Sequence, residues 1–483
     1  MTLGWVWSDA GAMNRKAKIG VLFLAGDSWW EAGCCTATKG PYAGFLQKLE
    51  GDVQRMLTAL EGEYSLVSSG LLHTTPDAVA EARRFNAEGV EAIVFCPIIW
   101  TNDQPVVAFL QEARKVPMVM WAYNPYADFP SYFKIAEWVR ASGPVSVQQS
   151  ANILRRFGWE FEVVFGNETE GETLRSLGAY LRAASVLRSL RGTRIAMLPS
   201  PCRVVISTWV DEFFLLEKFG VELQYVPVDT YAALVREVKE SEARGYADLL
   251  RKSYPVEGVT SEVLLESARQ SLAFVRLIKD NGLSGIALED FNADIYRILG
   301  FRPHLVHPAF GEMGCTIGFE ADVLGVLSTI IAGRLAGRQA MFNEFFSVDR
   351  KANTVLMGHP GHGEPQVGDP ATFQVTYDLE FDETQKRGAW LSYRAKPGPM
   401  SFLNFTPEYG KLKTSAFTGE ALPGPRIMEG YAHMLVRPDC DAVELFCDIS
   451  RRGLIQHWGT VHGRIMPELK SFARLAGLDL KSY

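Results

Sequence analysis

Short apolar runs alternate with segments of helical periodicity from residue 19 to about residue 123. Apolar runs fall at 19–25, 64–68, 90–96 and 117–122, and helical patterns at 42–60, 76–88 and 104–115. Runs of that length separated by amphipathic helices predict a parallel sheet covered by helices on its faces. A second series follows Gly166, with helices at 172–190, 208–219 and 262–279 and strands at 194–198, 221–226 and 285–288. The stretch from Glu320 to Gly333 is apolar nearly throughout and predicts a buried helix entered from a glycine-rich loop. Beyond about residue 340 the period changes to two. Strands are expected at 354–357, 373–381, 388–394, 400–405, 411–417, 432–436 and 443–448, and a last helix at 467–478. Evenly spaced strands with Gly/Pro turns suggest an antiparallel barrel.

The expected architecture is therefore α/β, with two doubly wound parallel-sheet domains at residues 1–170 and 171–338 and a β-barrel-like domain at 339–483. A chain of 483 residues is long enough for such a division, at roughly 100–200 residues per domain.

Charge and motifs narrow the chemistry. A net charge of -7 leaves no basic surplus for phosphate backbones or anionic membranes, so nucleic acid and membrane are not expected partners. The first turn, Gly26-Asp27-Ser28-Trp29-Trp30, lacks the GxGxxG spacing that seats a dinucleotide. The seven cysteines are scattered and lack CxxC pairing, which suits cytosolic thiols. No apolar run of seven or more opens the chain and no run reaches about 18 residues, so a cytoplasmic protein is expected.

Histidine is scarce, at eight residues, and four of them stand in two short stretches: His359 and His362 in GHPGH, His457 and His462 in HWGTVH. Glu320 and Glu344 are carboxylates among apolar and aromatic neighbours, where a carboxylate is paired, metal-bound or shifted in pKa. Each taken alone also fits a helix cap or a satisfied barrel histidine. Two carboxylates with two imidazoles would suit a hard-to-borderline ion such as Mn²⁺. Glu289 and Asp290 follow the strand at 285–288, where α/β clefts open. Glu289 is a candidate substrate contact or a surface residue, and Asp290 a candidate helix N-cap. Trp29, Trp30, Trp100, Trp121 and Tyr123 could stack on a ring-shaped ligand, though core or subunit-interface packing is the commoner role of such residues.

A resemblance runs from residue 167 to the C-terminus. The run from Asn167-Glu168-Thr169-Glu170-Gly171 through Arg182-Ala183-Ala184 to Thr193-Arg194-Ile195-Ala196 resembles the L-arabinose isomerase helix carrying RAA that leads into KVAR. Leu288-Glu289-Asp290-Phe291 resembles FEDL, Gly318-Phe319-Glu320-Ala321-Asp322 resembles GEGD, and the L-fucose isomerase END is a second likeness. Met341 to Phe346 is similar to SFMEDYTY, Asn353 to His359 to NELILGAH, Gly453 to Trp458 to GGAHHT, and Leu469 to Leu478 to LEDFAEMAGI.

The resemblance implies a metal-dependent aldose–ketose isomerase of the L-arabinose/L-fucose isomerase superfamily, acting on a pentose or 6-deoxyhexose through a cis-enediolate. It places the metal ligands on Glu320, Glu344, His359 and His457, with Glu320 and Glu344 as the acid/base pair and Asp322 as a rival ligand. The implied cofactor is Mn²⁺, or Co²⁺ or Mg²⁺, and the implied assembly a homotrimer or homohexamer. Gln456 stands where the family carries the first histidine of its AHH motif, and Gly26–Gly33 does not match the family's substrate loop. A non-catalytic sugar-binding relative and a metal-assisted hydrolase or lyase are the competing expectations.

Overall fold

The computed structural model describes residues 16–361, 363–379 and 388–483, which leaves His362 and the end of the strand expected at 373–381 outside the described residues. The chain forms two compact units, Lys16–Arg188 and Ser189–Tyr483.

The first unit is built on a parallel sheet of β1 (Lys18–Leu24), β2 (Ser65–Val67), β3 (Leu71–Leu72), β4 (Ala92–Pro97), β5 (Met118–Tyr123) and β6 (Phe161–Gly166). The order is β2-β1-β4-β5-β6, with β3 pairing the end of β1. β1, β4 and β5 are apolar and almost continuously buried. That burial is why they read as unbroken apolar runs, because helices cover both faces of a parallel sheet. Trp121 and Tyr123 belong to this core, where the Trp121 indole N–H donates to the Gly166 carbonyl at 2.9 Å.

The second unit opens with four parallel strands, β7 (Arg194–Leu198), β8 (Glu222–Tyr225), β9 (Gly285–Leu288) and β10 (Thr316–Gly318), in the order β10-β9-β7-β8. A mostly antiparallel sheet follows, made of β11 (Ala340–Asp349), β12 (Thr354–His359), β13 (Gln374–Tyr377), β14 (Ala389–Arg394), β15 (Gly398–Glu408), β16 (Lys411–Ala421), β17 (Ala432–Pro438), β18 (His457–His462) and β19 (Asp479–Ser482), with β14–β17 and β16–β19 pairing in parallel. Six of these close a ring: β17-β12-β11-β18-β15-β16, with β16 returning to β17. The fold is thus the expected pair of parallel-sheet α/β regions followed by an antiparallel β-barrel.

The buried helix Val323–Ala336 lies against the barrel wall. A Cβ on Gly459 of β18 would come within 2.5 Å of the Ser328 carbonyl carbon in this helix, so only glycine allows the two backbones to approach so closely. Phe342 of β11 fills the neighbouring space, its ring edge 2.6 Å from where a Cβ on Gly325 would stand. β11 and β18 therefore turn one face to the barrel interior and the other to the helix.

One expected strand is a helix. Residues 443–448 belong to the helix Ala442–Arg451, capped by Asp441, whose carboxylate accepts from the Val443 and Glu444 amides. Its buried residues are Ala442, Leu445 and Ile449, a helical spacing, whereas Phe446 of the apparent period-two run is exposed. The helix expected from Glu320 begins at Val323, because Glu320 and Ala321 take left-handed backbone angles (φ 56° and 50°) and Asp322 caps it through the Gly325 amide at 2.9 Å. Among the described residues no helix is long and apolar enough to cross a membrane.

Candidate active site on the outer wall of the barrel

Strand register assembles the site. Glu344 on β11 stands directly opposite His457 on β18 and Gly358 on β12, so one row across three strands carries Glu344 and His457, and His359 follows Gly358 at the end of β12. Cross-strand partners have Cβ atoms about 4.5–5.5 Å apart. Glu320 comes from the other side, from the turn between β10 and the Val323–Ala336 helix. One ligand atom from each of Glu320, Glu344, His359 and His457 can be chosen so that all four lie within 4.8 Å of one another. Two ligands about 2.1–2.2 Å from a shared ion lie about 3–4.4 Å apart, so a small contraction brings this set to coordination distance.

Each of the two imidazoles holds its Nδ1 against an oxygen acceptor. His359 Nδ1 lies 2.8 Å from the Pro360 carbonyl and His457 Nδ1 lies 2.8 Å from Asp322 Oδ2. Both partners are acceptors only, so Nδ1 donates in each ring and a neutral ring leaves its Nε2 lone pair exposed to the site. Both Nε2 atoms are buried and have no hydrogen-bond partner. A buried acceptor with no partner is uncommon, and two converging on a pair of carboxylates fit a divalent cation with mixed oxygen and nitrogen ligands.

Burial, then the neighbouring His457, push the His359 pKa down to about 3. His457 is pulled down by burial but raised more by its bond to Asp322 and by the charges of Asp322, Glu320 and Glu344, for a net rise. Its Nε2 lies 3.6 Å from Glu320 Oε2. Glu320 is raised to about 7, first by burial, with Glu344, Asp290 and Asp322 adding to the rise and His457 opposing it.

Asp322 is not in the four-residue group. Its carboxylate is engaged, with Oδ1 on the Gly325 amide and Oδ2 on His457. Asp290 is not the expected helix cap either, since Asn292 caps the helix that follows. Asp290 Oδ1 accepts instead from the Glu320 amide at 3.0 Å. Its Oδ2 lies 3.3 Å from Arg302 Nη1 and 3.5 Å from His304 Nε2. Arg302, wholly buried, also makes a two-pronged pair with Asp378 at 2.7 and 2.8 Å. His304 and Arg302 hold the Asp290 pKa low against the effect of burial.

Glu289 directly follows β9 but stands outside the four-residue group. Burial lifts its carboxyl to about 7, with Asp290 adding to the rise and hydrogen bonds to Asn292 and Cys202 opposing it. Gln456, which departs from the family motif, donates from Nε2 to Glu320 Oε2 at 2.7 Å. Thr208 donates to the Glu320 carbonyl at 3.0 Å.

No protein-family profile matches the chain. Curated relatives do. Two proteins named sulfoquinovose isomerase, from Priestia aryabhattai and Priestia megaterium, are each 21% identical over 397 residues, covering 82% of this chain and 86% of the relative. An L-arabinose isomerase from Aeromonas hydrophila is 25% identical over 235 residues, covering 44% of this chain and 46% of that protein. A periplasmic sugar binding protein from Legionella pneumophila superposes with a TM-score of 0.15 at 12% identity over 66% of this chain and 95% of that one, too poorly to carry an argument. The matches relate the chain to sugar isomerases without placing it in one named family.

Proposed function

We propose that this protein is a divalent-metal-dependent aldose–ketose isomerase that interconverts a pentose or 6-deoxyhexose with its ketose through a cis-enediolate. The relationship to sugar isomerases supports the reaction class. The observation that carries the metal dependence is the pair of buried, unpartnered Nε2 atoms of His359 and His457 aimed at Glu320 and Glu344.

Glu320, Glu344, His359 and His457 would hold the cation. When bound, it supplies Lewis-acid stabilisation of the negative charge that develops on two adjacent sugar oxygens. The remaining work falls to the chain. Moving a carbonyl between C1 and C2 requires a proton to leave one carbon and arrive at the other, and a carboxylate is a base of suitable strength for the first step and, once protonated, an acid for the second. Glu320 and Glu344 are the two carboxylates of the group, and they form the acid/base pair. His359 and His457 contribute orientation and neutral coordination, His457 in the posture that Asp322 fixes. Glu289, buried at the end of β9, is a substrate contact in this reading. Mn²⁺ suits the mixed carboxylate and imidazole set, and Co²⁺ and Mg²⁺ are its alternatives. The protein is read as cytoplasmic and as a homotrimer or homohexamer.

The test is a substrate panel. Chelated protein receives Mn²⁺, Co²⁺ or Mg²⁺ in turn and is offered aldopentoses, 6-deoxyhexoses, sulfoquinovose and the matching ketoses. Conversion of a free aldose that needs the ion supports the reading. Full turnover by metal-free protein removes the metal from it, whereas bond cleavage with uptake of solvent oxygen in place of carbonyl migration identifies a hydrolase, and cleavage or elimination without that uptake a lyase.

A further inference from the structure

Glu320 and Ala321 are consecutive non-glycine residues with positive φ, 56° and 50°. Left-handed backbone is unfavourable for residues bearing a Cβ and persists only where surrounding contacts impose it. Here the contacts are specific. The Glu320 amide donates to Asp290 Oδ1 at 3.0 Å, the Ala321 amide to the Leu288 carbonyl at 3.0 Å, and Thr208 Oγ1 to the Glu320 carbonyl at 3.0 Å. Asp290 is in turn fixed by Arg302, which Asp378 holds from the other side, and all three are buried.

We infer that Asp290 is a positioning residue, and that the Asp378–Arg302–Asp290 chain of charges exists to lock the strained turn that presents the Glu320 carboxylate to the metal group. The inference rests on the proposed role of Glu320 as ligand and acid/base group, and it goes beyond that role by assigning a function to charges that never meet the ion. An extended or right-handed residue 320 would send its side chain in another direction, because the side-chain vector follows φ and ψ. A neutral acceptor could satisfy the amide, but a carboxylate makes a stronger hydrogen bond. Thr208 works on the same turn from the carbonyl side without carrying charge.

The experiment uses the full chain and two readouts. In chelated protein, hydrogen–deuterium exchange follows the amides of residues 319–322, a measurement that needs neither metal nor substrate. In parallel, calorimetry with Mn²⁺ alone measures affinity. Asp290→Ala is expected to remove the protection of the Glu320 amide and weaken Mn²⁺ binding by about 10- to 100-fold, the range for losing a group that orients a ligand. Adding Ala321→Gly to Asp290→Ala is expected to recover a large part of the affinity, since glycine enters left-handed backbone without strain. Mere loss of a buried charge would not be repaired by that glycine. Should Asp290→Ala fail to fold, Thr208→Val removes a contact to the same turn isosterically and should raise exchange and weaken Mn²⁺ severalfold. The inference is overturned if the folded variants keep wild-type protection of the Glu320 amide, or if affinity falls and Ala321→Gly restores none of it. If the wild type binds no Mn²⁺, the metal reading fails, and the exchange arm alone decides whether Asp290 holds the turn.

Discussion

Replacing Asp322 separates the support of the metal group from the group itself. The Asp322 carboxylate is fully buried, accepts from the Gly325 amide at 2.9 Å and lies 2.8 Å from His457 Nδ1. In Asp322→Ala the helix Val323–Ala336 loses its N-cap, worth about 1 kcal/mol. The His457 Nδ1–H is left buried without an acceptor, which costs about 1–3 kcal/mol. The expected destabilisation is therefore about 2–4 kcal/mol. Asp322→Asn divides these effects. Its carbonyl oxygen can still cap Gly325, but its amide then faces His457 and favours the tautomer with the proton on Nε2, the form that cannot ligate. The expectation is a stability loss of about 1 kcal/mol or less with Mn²⁺ affinity reduced about 10- to 100-fold. Urea unfolding of the chelated proteins gives the first quantity and calorimetric titration with Mn²⁺ the second. Wild-type Mn²⁺ affinity in folded Asp322→Asn would refute the idea that Asp322 sets the His457 tautomer for coordination.

Other outcomes follow from the same geometry. His457→Ala should bind Mn²⁺ more weakly yet recover activity at high Mn²⁺, because mass action refills a site that has lost one neutral ligand; a variant still inactive at saturating metal would give His457 a further role. In the metal-free protein Glu320 titrates near 7 and His457 above its usual value, so binding must expel protons that are present at low pH. Mn²⁺ affinity should therefore rise from pH 6 to pH 8, by up to about tenfold per pH unit for each proton released, and calorimetry that finds no pH dependence contradicts this. Glu364, whose carboxyl lines a cavity of about 20 Å³ beside Phe310, Ile317 and Met341, is raised by burial to about 8. Its unfolded form ionises near 4.5 and its folded form near 8, so the native state holds the extra proton between those values and stability falls as pH rises through that window. Glu364→Gln should flatten that fall by on the order of 2 kcal/mol between pH 6 and pH 8, as read by urea unfolding at each pH.

The parallel sheets were legible because their strands are short, apolar and punctuated by helices. The strands at 194–198 and 285–288 coincide with β7 and β9. β18 and the first residues of β11, Ala340–Asn343, do not alternate because both of their faces are covered, one by the barrel interior and one by the Val323–Ala336 helix, whereas the rest of β11 is partly exposed. Residues 443–448 misled in the opposite sense, since an amphipathic helix with exposed Phe446 briefly imitates period two. Glu320, Glu344, His359 and His457, which could hold a metal ion, stand out by their chemistry and by the resemblance. The work of Asp290, Asp322 and Gln456 could not, because it depends on contacts between segments 30, 135 and 136 residues apart that no local pattern encodes.

The proposed proton transfer between adjacent sugar carbons by Glu320 and Glu344 is open to solvent-deuterium wash-in. Wild type, Glu320→Gln and Glu344→Gln are held at saturating Mn²⁺ in deuterated buffer with an aldose the wild type converts, and label at C1 and C2 is followed by NMR. Gln nearly preserves the shape of Glu but cannot accept the proton. Exchange is expected in the wild type and is lost in both variants while Mn²⁺ remains bound. Exchange at the wild-type rate in both variants would show that neither carboxylate is the base.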